Sequence, residues 1–232
     1  MKDFLFIHEF LGLLFPRLCH SCGQALFIHE TAICTTCLYQ LPKTKFHLDP
    51  ESNADQVFWG RARIEKASAY YYYTKNSKVQ KLVHALKYRG FKAVAIYIGE
   101  IYGKELQYSK YYQQIDLIIP VPLHPRKKRR RGFNQSEIFA LGLAEALDKP
   151  VNTRVLYRRK ASETQTRKSR FNRWKNVESI FALRNPGALE GKNILLVDDV
   201  ITTGATIEAC AHALQQAKSV KIYVAAMGFA SY

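Results

Sequence analysis

Acidic side chains are scarce in this sequence. Asp and Glu number 19 against 35 Lys and Arg, a formal charge of +16 in 232 residues. That imbalance disfavours cationic partners and points to polyanions: nucleic acid, phosphorylated small molecules or anionic lipid. Long apolar runs are also missing. The opening stretch MKDFLFIHEFLGLLFPRLC carries Asp3, His8 and Glu9, and its longest uncharged apolar run, Phe10 to Phe15, falls far short of the roughly 20 residues that span a bilayer. Neither a membrane span nor a secretory leader is expected, and the stretch reads as an amphipathic helix ending near Pro16. No internal repeat is visible. With 47% hydrophobic and 23% charged residues the chain has the composition of a folded protein, long enough for one large domain and a small appendage but not for two full-sized domains.

Cysteine is sparse too, five in all, yet four of them fall as Cys19-His-Ser-Cys22 and Cys34-Thr-Thr-Cys37. Each CxxC pair places two thiolates on one tight turn, and two such turns close a tetrahedron of sulfur around Zn²⁺. A cytoplasmic location, expected in the absence of a leader, disfavours disulfides. Four thiolates leave no open position for water, so the zinc is expected to be structural. His20 and His29 read as bystanders and Cys210 as a small buried apolar residue.

Residues 1–45 therefore read as an N-terminal helix and zinc module, the polar stretch KTKFHLDPESNADQ as a connection, and residues 55–232 as the main domain. KASAYYYYTKN reads as a strand whose tyrosines serve sheet packing. Val79, Leu82, Val83 and Leu86 fall at i, i+3, i+4 and i+7, predicting an amphipathic helix closed by Gly90. A second helix follows over about 92–108. Beyond it DLIIPVP, TRVLY, ESIFAL, NILLVDD and VKIYVAAMGF read as strands, and QSEIFALGLAEAL and ATIEACAHALQQA as helices. Uninterrupted runs such as ILLV suit strands buried on both faces, the condition of a parallel sheet.

The run NILLVDDVITTGAT places Asp198 and Asp199 at the end of such a strand, where open parallel sheets bind ligands. The turn from Thr202 to Thr206 then enters a helix, offering backbone N–H groups and hydroxyls to a phosphate, with Gly204 letting the backbone close in. Two carboxylates would repel a bare phosphate. They suit a ligand that also presents hydroxyls, a ribose 5-phosphate. Ile194 to Thr206 resembles the phosphoribosyl-pyrophosphate (PRPP) motif of type I phosphoribosyltransferases at all thirteen positions. The resemblance implies an α/β fold with a central, mostly parallel sheet flanked by helices. It also implies that Asp198 and Asp199 hold the ribose hydroxyls, that Thr202, Thr203, Gly204, Ala205 and Thr206 hold the 5-phosphate, and that Mg²⁺ accompanies the PRPP. Val121, Pro122, Leu123 and His124, after the LIIP strand, stand where such proteins keep a pyrophosphate loop. RRKASETQTRKSRFNRWKNV stands where they keep a mobile hood, and closure over the site would exclude water. Arg158, Arg159 and Lys160 are the candidates for charge stabilisation there.

The CxxC pairs, LKYRG at 86–90, PVPLHP at 120–125, RRGFNQ at 130–135 and the spaced Gln165, Arg173, Asn176, Val177 and Phe181 together resemble the ComF family of competence proteins. That resemblance spans almost the whole chain. It implies a cytoplasmic protein of DNA uptake and natural transformation, meeting single-stranded DNA beside a helicase-like partner. The cations Arg126, Lys127, Lys128, Arg129, Arg130 and Arg131, with Arg167, Arg170 and Arg173, are the expected nucleic-acid contacts, sequence-tolerant and salt-sensitive. Two other readings stay open: an active transferase of nucleotide salvage, and a non-catalytic interaction protein that senses PRPP. Purine-salvage members of the fold carry an acid at the position of Thr202, which argues against hypoxanthine or guanine as the acceptor.

Overall fold

The computed structural model describes residues 16–159 and 180–230. The N-terminal helix expected before Pro16, and Lys160, Gln165, Arg167, Arg170, Arg173, Asn176 and Val177, lie outside the described residues.

Four parallel strands form the central sheet. β1 (Lys66–Tyr73), β2 (Leu117–Pro120), β5 (Asn193–Ile201) and β6 (Lys221–Ala230) lie in the order β1-β6-β5-β2. β3 (Leu156–Arg158) and β4 (Phe181–Leu183) make a separate antiparallel pair. The helices are α1 (Thr35–Gln40), α2 (Asn53–Gln56), α3 (Lys78–Arg89), α4 (Lys92–Gln107), α5 (Pro125–Arg131), α6 (Gln135–Leu147) and α7 (Ala205–Leu214). The strands inferred from apolar runs are all present. α5 was not anticipated, because six consecutive cations carry no amphipathic period; Pro125 at its first turn and the left-handed Gly132 after it bound the helix.

Both faces of the sheet are covered. Leu195 and Val197 of β5 pack with α3, α4 and α6, while Ile194 and Leu196 pack with α7 and the β3–β4 pair. Alternate side chains of one strand thus enter two different cores, which is why ILLV has no polar position. α4 and α6 approach closely: a Cβ built on Gly99 would fall 2.6 Å from the Phe139 carbonyl oxygen. Larger residues there would force the helices apart.

The stretch expected as a simple connection is firmly packed. Lys43 bridges antiparallel to Tyr71, and Phe46, His47, Ser52 and Ala54 are buried. Ser52 and Asp55 form a capping box on α2, and Asp55 pairs with the buried Lys66 at 2.5 Å. Hydrophobic content was too low in KTKFHLDPESNADQ for sequence to reveal this docking. Tyr70 and Tyr71 are each 1% exposed, the former stacked on Tyr102 at 4.6 Å, so the first half of the tyrosine run is core, while Tyr72 and Tyr73 are half-buried. Cys19, Cys34 and Cys37 belong to the same buried cluster as Tyr70, Leu82 and Leu86. Among the described residues no helix is long and apolar enough to cross a membrane.

Candidate functional site

β2 and β5 are neighbours in the sheet, and their carboxyl ends bring the two motifs together. The Val121 N–H donates to the Val197 carbonyl at 2.8 Å, so the loop Val121 to His124 leaves β2 one residue before the acidic pair on β5. Val121 is buried and Pro122, Leu123 and His124 are half-buried. His124 caps α5, its Nδ1 accepting from the Arg126 N–H at 3.2 Å.

Asp198 and Asp199 are 9% and 6% exposed. Asp198 Oδ1 accepts from the Ser136 hydroxyl at 2.9 Å and from the Asp199 N–H at 2.8 Å. Burial, and then repulsion from Asp199, push the Asp198 carboxyl up to about 7, against the opposing pull of those two donors and of Lys87. Lys87 Nζ stands 2.7 Å from Asp199 Oδ2. That oxygen has no partner with hydrogen-bonding geometry, so the contact is an ion pair by proximity. The pair presents carboxylate oxygens that suit donors such as sugar hydroxyls.

The turn after β5 stays open. Thr202, Thr203, Ala205 and Thr206 are exposed and only Gly204 is buried. Gly204 has φ +74°, and a Cβ there would lie 2.5 Å from Val57 and 2.8 Å from the Phe58 ring. Both its backbone angle and its backing therefore require glycine. No side chain caps α7, so its first N–H groups have no side-chain acceptor there. Arg61 braces the turn from outside, donating to the Thr203 carbonyl at 2.8 Å and pairing with Glu208 at 2.5 Å.

The four cysteines converge some distance away along the chain. Their sulfurs lie within 4.8 Å of one another, and Cys22 Sγ is 3.8 Å from Cys34 Sγ. A tetrahedron with metal–sulfur bonds of about 2.3 Å has edges of about 3.8 Å, so this cluster could hold a metal ion. Burial opposes ionisation of Cys19, yet backbone amides of Cys34, Cys22 and Ser21 outweigh it and bring the thiol down to about 7. Glu30 braces both arms, accepting from the Phe27 N–H at 2.9 Å and the Thr35 N–H at 2.6 Å. His20 does not join the cluster; its ring stacks on Phe91 at 3.9 Å.

Comparison with known proteins agrees with this geometry. The family described as "Phosphoribosyl transferase domain" matches residues 131–230, which include α6, the acidic pair and the turn. "DNA utilization protein YhgH" of Salmonella typhimurium is 29% identical over 217 residues, covering 87% of this chain and 92% of that protein. "Competence protein ComFC" of Bacillus subtilis is 30% identical over 199 residues, covering 85% of this chain and 71% of that protein. The chain belongs to the ComF family. Its main domain has the type I phosphoribosyltransferase fold. Among solved structures, the glutamine PRPP amidotransferase of Bacillus subtilis is 24% identical with a TM-score of 0.41, covering 58% of this chain and 26% of that one.

In this ComF protein the motifs RRGFNQ and LKYRG acquire definite places. Asn134 caps α6, donates from Nδ2 to the Val121 carbonyl at 2.9 Å, and so ties the loop after β2 to α6. Ser136 then reaches Asp198, and Lys87 reaches Asp199. Neither Ser136 nor Lys87 stood out as a site residue in the sequence; Lys87 lies within LKYRG and Ser136 directly follows RRGFNQ, but only the fold aims them at the acids.

The expected catalytic cations lie on β3 and just beyond it. Arg158 sits over the Phe181 ring at 5.4 Å, and the Arg159 N–H donates to the Ile180 carbonyl at 2.8 Å. Both line a cavity of about 390 Å³ with Pro122, Leu123 and Arg184, on the outer side of the loop after β2. The basic run forms α5 at the same end of the sheet. Arg126, Lys127, Lys128, Arg129 and Arg130 are exposed; Lys128 pairs with Glu137 at 3.3 Å and Arg131 donates to Gln135. The other four make no ion pair among the described residues.

Proposed function

We propose that this protein binds PRPP, or another 5-phosphoribosyl ligand, in the service of DNA uptake or utilisation, and that it also meets single-stranded DNA in the cytoplasm. One observation carries the first half: two nearly buried carboxylates end a central parallel strand beside an open, glycine-backed turn and an uncapped helix. Asp198 and Asp199 would accept from the ribose hydroxyls. The N–H groups and hydroxyls of Thr202 to Thr206 would receive the 5-phosphate, and the loop Val121 to His124 would face the pyrophosphate. Mg²⁺ held with the PRPP would supply charge neutralisation on the pyrophosphate. Lys87 and Ser136 keep the acids oriented in the ground state, and Arg158, Arg159 and Lys160 remain the candidates for stabilising departing charge. Zn²⁺ suits the four cysteines, as a structural ion with every position filled by sulfur.

The relatives named for competence and for DNA utilization support the second half, together with the exposed cations of α5. A helicase-like partner is consistent with that setting. Calorimetry tests the pocket. Asp198→Asn with Asp199→Asn should lower PRPP affinity at least a hundredfold and leave the fold and most DNA affinity in place; undiminished PRPP binding would refute the assignment.

A further inference from the structure

α3 has three working faces. Val79, Leu82, Val83 and Leu86 enter the core, and Lys87 turns to Asp199. The remaining face, Lys81, His84 and Tyr88 at i, i+3 and i+7, borders a cavity of about 910 Å³ whose other wall is the cysteine module from Arg17 to Leu26. A cavity of this size falls within the range that holds small organic ligands.

Its lining holds cations and no carboxylate: Arg17, Lys81 and Arg89 stand with two imidazoles, while Cys19 and Cys22 of the cluster border the opposite wall. It is also aromatic: the His20 ring stacks on Phe91 at 3.9 Å, and His84 meets Tyr88 edge-on at 5.1 Å. Tyr88 is 67% exposed and Phe91 38%, so both rings keep surface that a ligand in the cavity could cover. The Arg131 guanidinium, at the end of α5, stands 5.8 Å from the Tyr88 ring and joins the cavity to the basic helix. Rings with exposed surface, flanked by Lys81 and Arg89, which make no ion pair among the described residues, match a ligand that is at once aromatic and anionic.

We propose that this cavity binds an unpaired nucleotide, its base stacked on the exposed ring of Tyr88 or Phe91 and its phosphate met by Lys81 and Arg89. The choice of ligand rests on the reading of this protein as one that meets single-stranded DNA; the cavity, its charge and its rings do not. The same ligand chemistry could come from a strand or from a free nucleotide. Because Tyr88 follows Lys87 directly, a base on Tyr88 would lie one residue along α3 from the lysine that holds Asp199.

Fluorescence anisotropy separates the two readings. A labelled oligothymidine and a strand of equal length with abasic sites present the same phosphates, so they differ only in the bases. The wild-type protein should bind the thymidine strand about tenfold more tightly, the gain expected of one stacked base. Tyr88→Ala should remove that preference while leaving the salt dependence unchanged, because no phosphate contact is lost; Tyr88→Phe should keep it. A wild-type protein that binds both strands alike, or a Tyr88→Ala protein that retains the preference, overturns the cavity but not DNA binding. Failure to bind either strand at low salt overturns DNA binding itself, and the cavity assignment then survives only if thymidine monophosphate binds the wild type and not Tyr88→Ala. Competition of the monophosphate with the thymidine strand supports a free nucleotide as the occupant, and strand preference without such competition supports the strand.

Discussion

The four-cysteine cluster and the acidic pair at the end of β5 solve opposite electrostatic problems. The cluster draws its four sulfurs from two short turns 11 residues apart, and the backbone N–H groups of Cys34 and Cys37 meet the sulfurs of Cys19 and Cys34. The acidic pair draws on residues spread over more than a hundred positions, Lys87, Ser136, Asp198 and Asp199, and each carboxylate is sheltered by a different element. A local site is complete once its turns form. The distributed one exists only when the sheet has closed, and its charges stay close to their limit of tolerable burial.

The largest effect should come from the cluster. Cys19→Ser is expected to release about one bound zinc per chain, read by metal analysis, and to unfold the module, because structural zinc contributes roughly 10 kcal/mol or more to small metal-held folds. Since Cys19 lies in the same buried cluster as α3, loss of the ion should also lower the melting temperature of the main domain. Zinc-free protein with an unchanged melting curve would dissolve the contrast between the two sites.

Lys87→Met comes next. Removing Lys87, the one cation beside the acidic pair among the described residues, leaves two adjacent buried carboxylates unrelieved, so PRPP affinity should fall about tenfold, by the ~1.4 kcal/mol of one partly buried ion pair. The pH midpoint of binding should also rise, since losing a positive neighbour raises the carboxyl pKa further. Affinity that recovers at pH 9 supports an electrostatic role; a uniform loss at every pH makes Lys87 a packing residue.

Asp198→Asn sharpens the comparison from the stability side. In the folded state the Asp198 carboxyl is raised to about 7, above its unfolded value of about 3.9. The fold therefore holds a proton that the unfolded chain has lost, and stability from this group declines as pH rises from about 4 towards 7. Asn removes the penalty. The variant should melt a few degrees higher than the wild type at pH 8 and no differently at pH 4. A lower melting temperature at pH 8 would mean that the ionised form is welcome in the fold.

The smallest effect is expected on α5. Arg129, Arg130 and Arg131 changed to Ala should weaken single-stranded DNA binding and reduce the slope of log affinity against log salt by about 2. An unchanged slope would remove α5 from the DNA footprint.

Much of this was legible in the chain. Strands such as ILLV and IYVAAM could be read because burial on both faces permits only apolar residues, and the CxxC spacing and the acidic-threonine turn could be read because each is local. The packed stretch 43–56 was not legible: its anchors are one phenylalanine, a capping box and the Asp55–Lys66 pair, each ordinary in isolation. Nor was α5, where charge masks helix propensity.

The sequence by itself determined which strands exist, where the cysteines cluster and where a hydroxyl-rich turn follows the acidic pair, because those depend on neighbours within a few residues. Only the tertiary structure decided that Ser136 and Lys87 hold the acids, that Asn134 ties the loop after β2 to α6, and that α3 turns Tyr88 towards the cysteine module. Such contacts join residues tens of positions apart, and their direction is set by how helices pack on the twisted sheet, which no short stretch of sequence encodes.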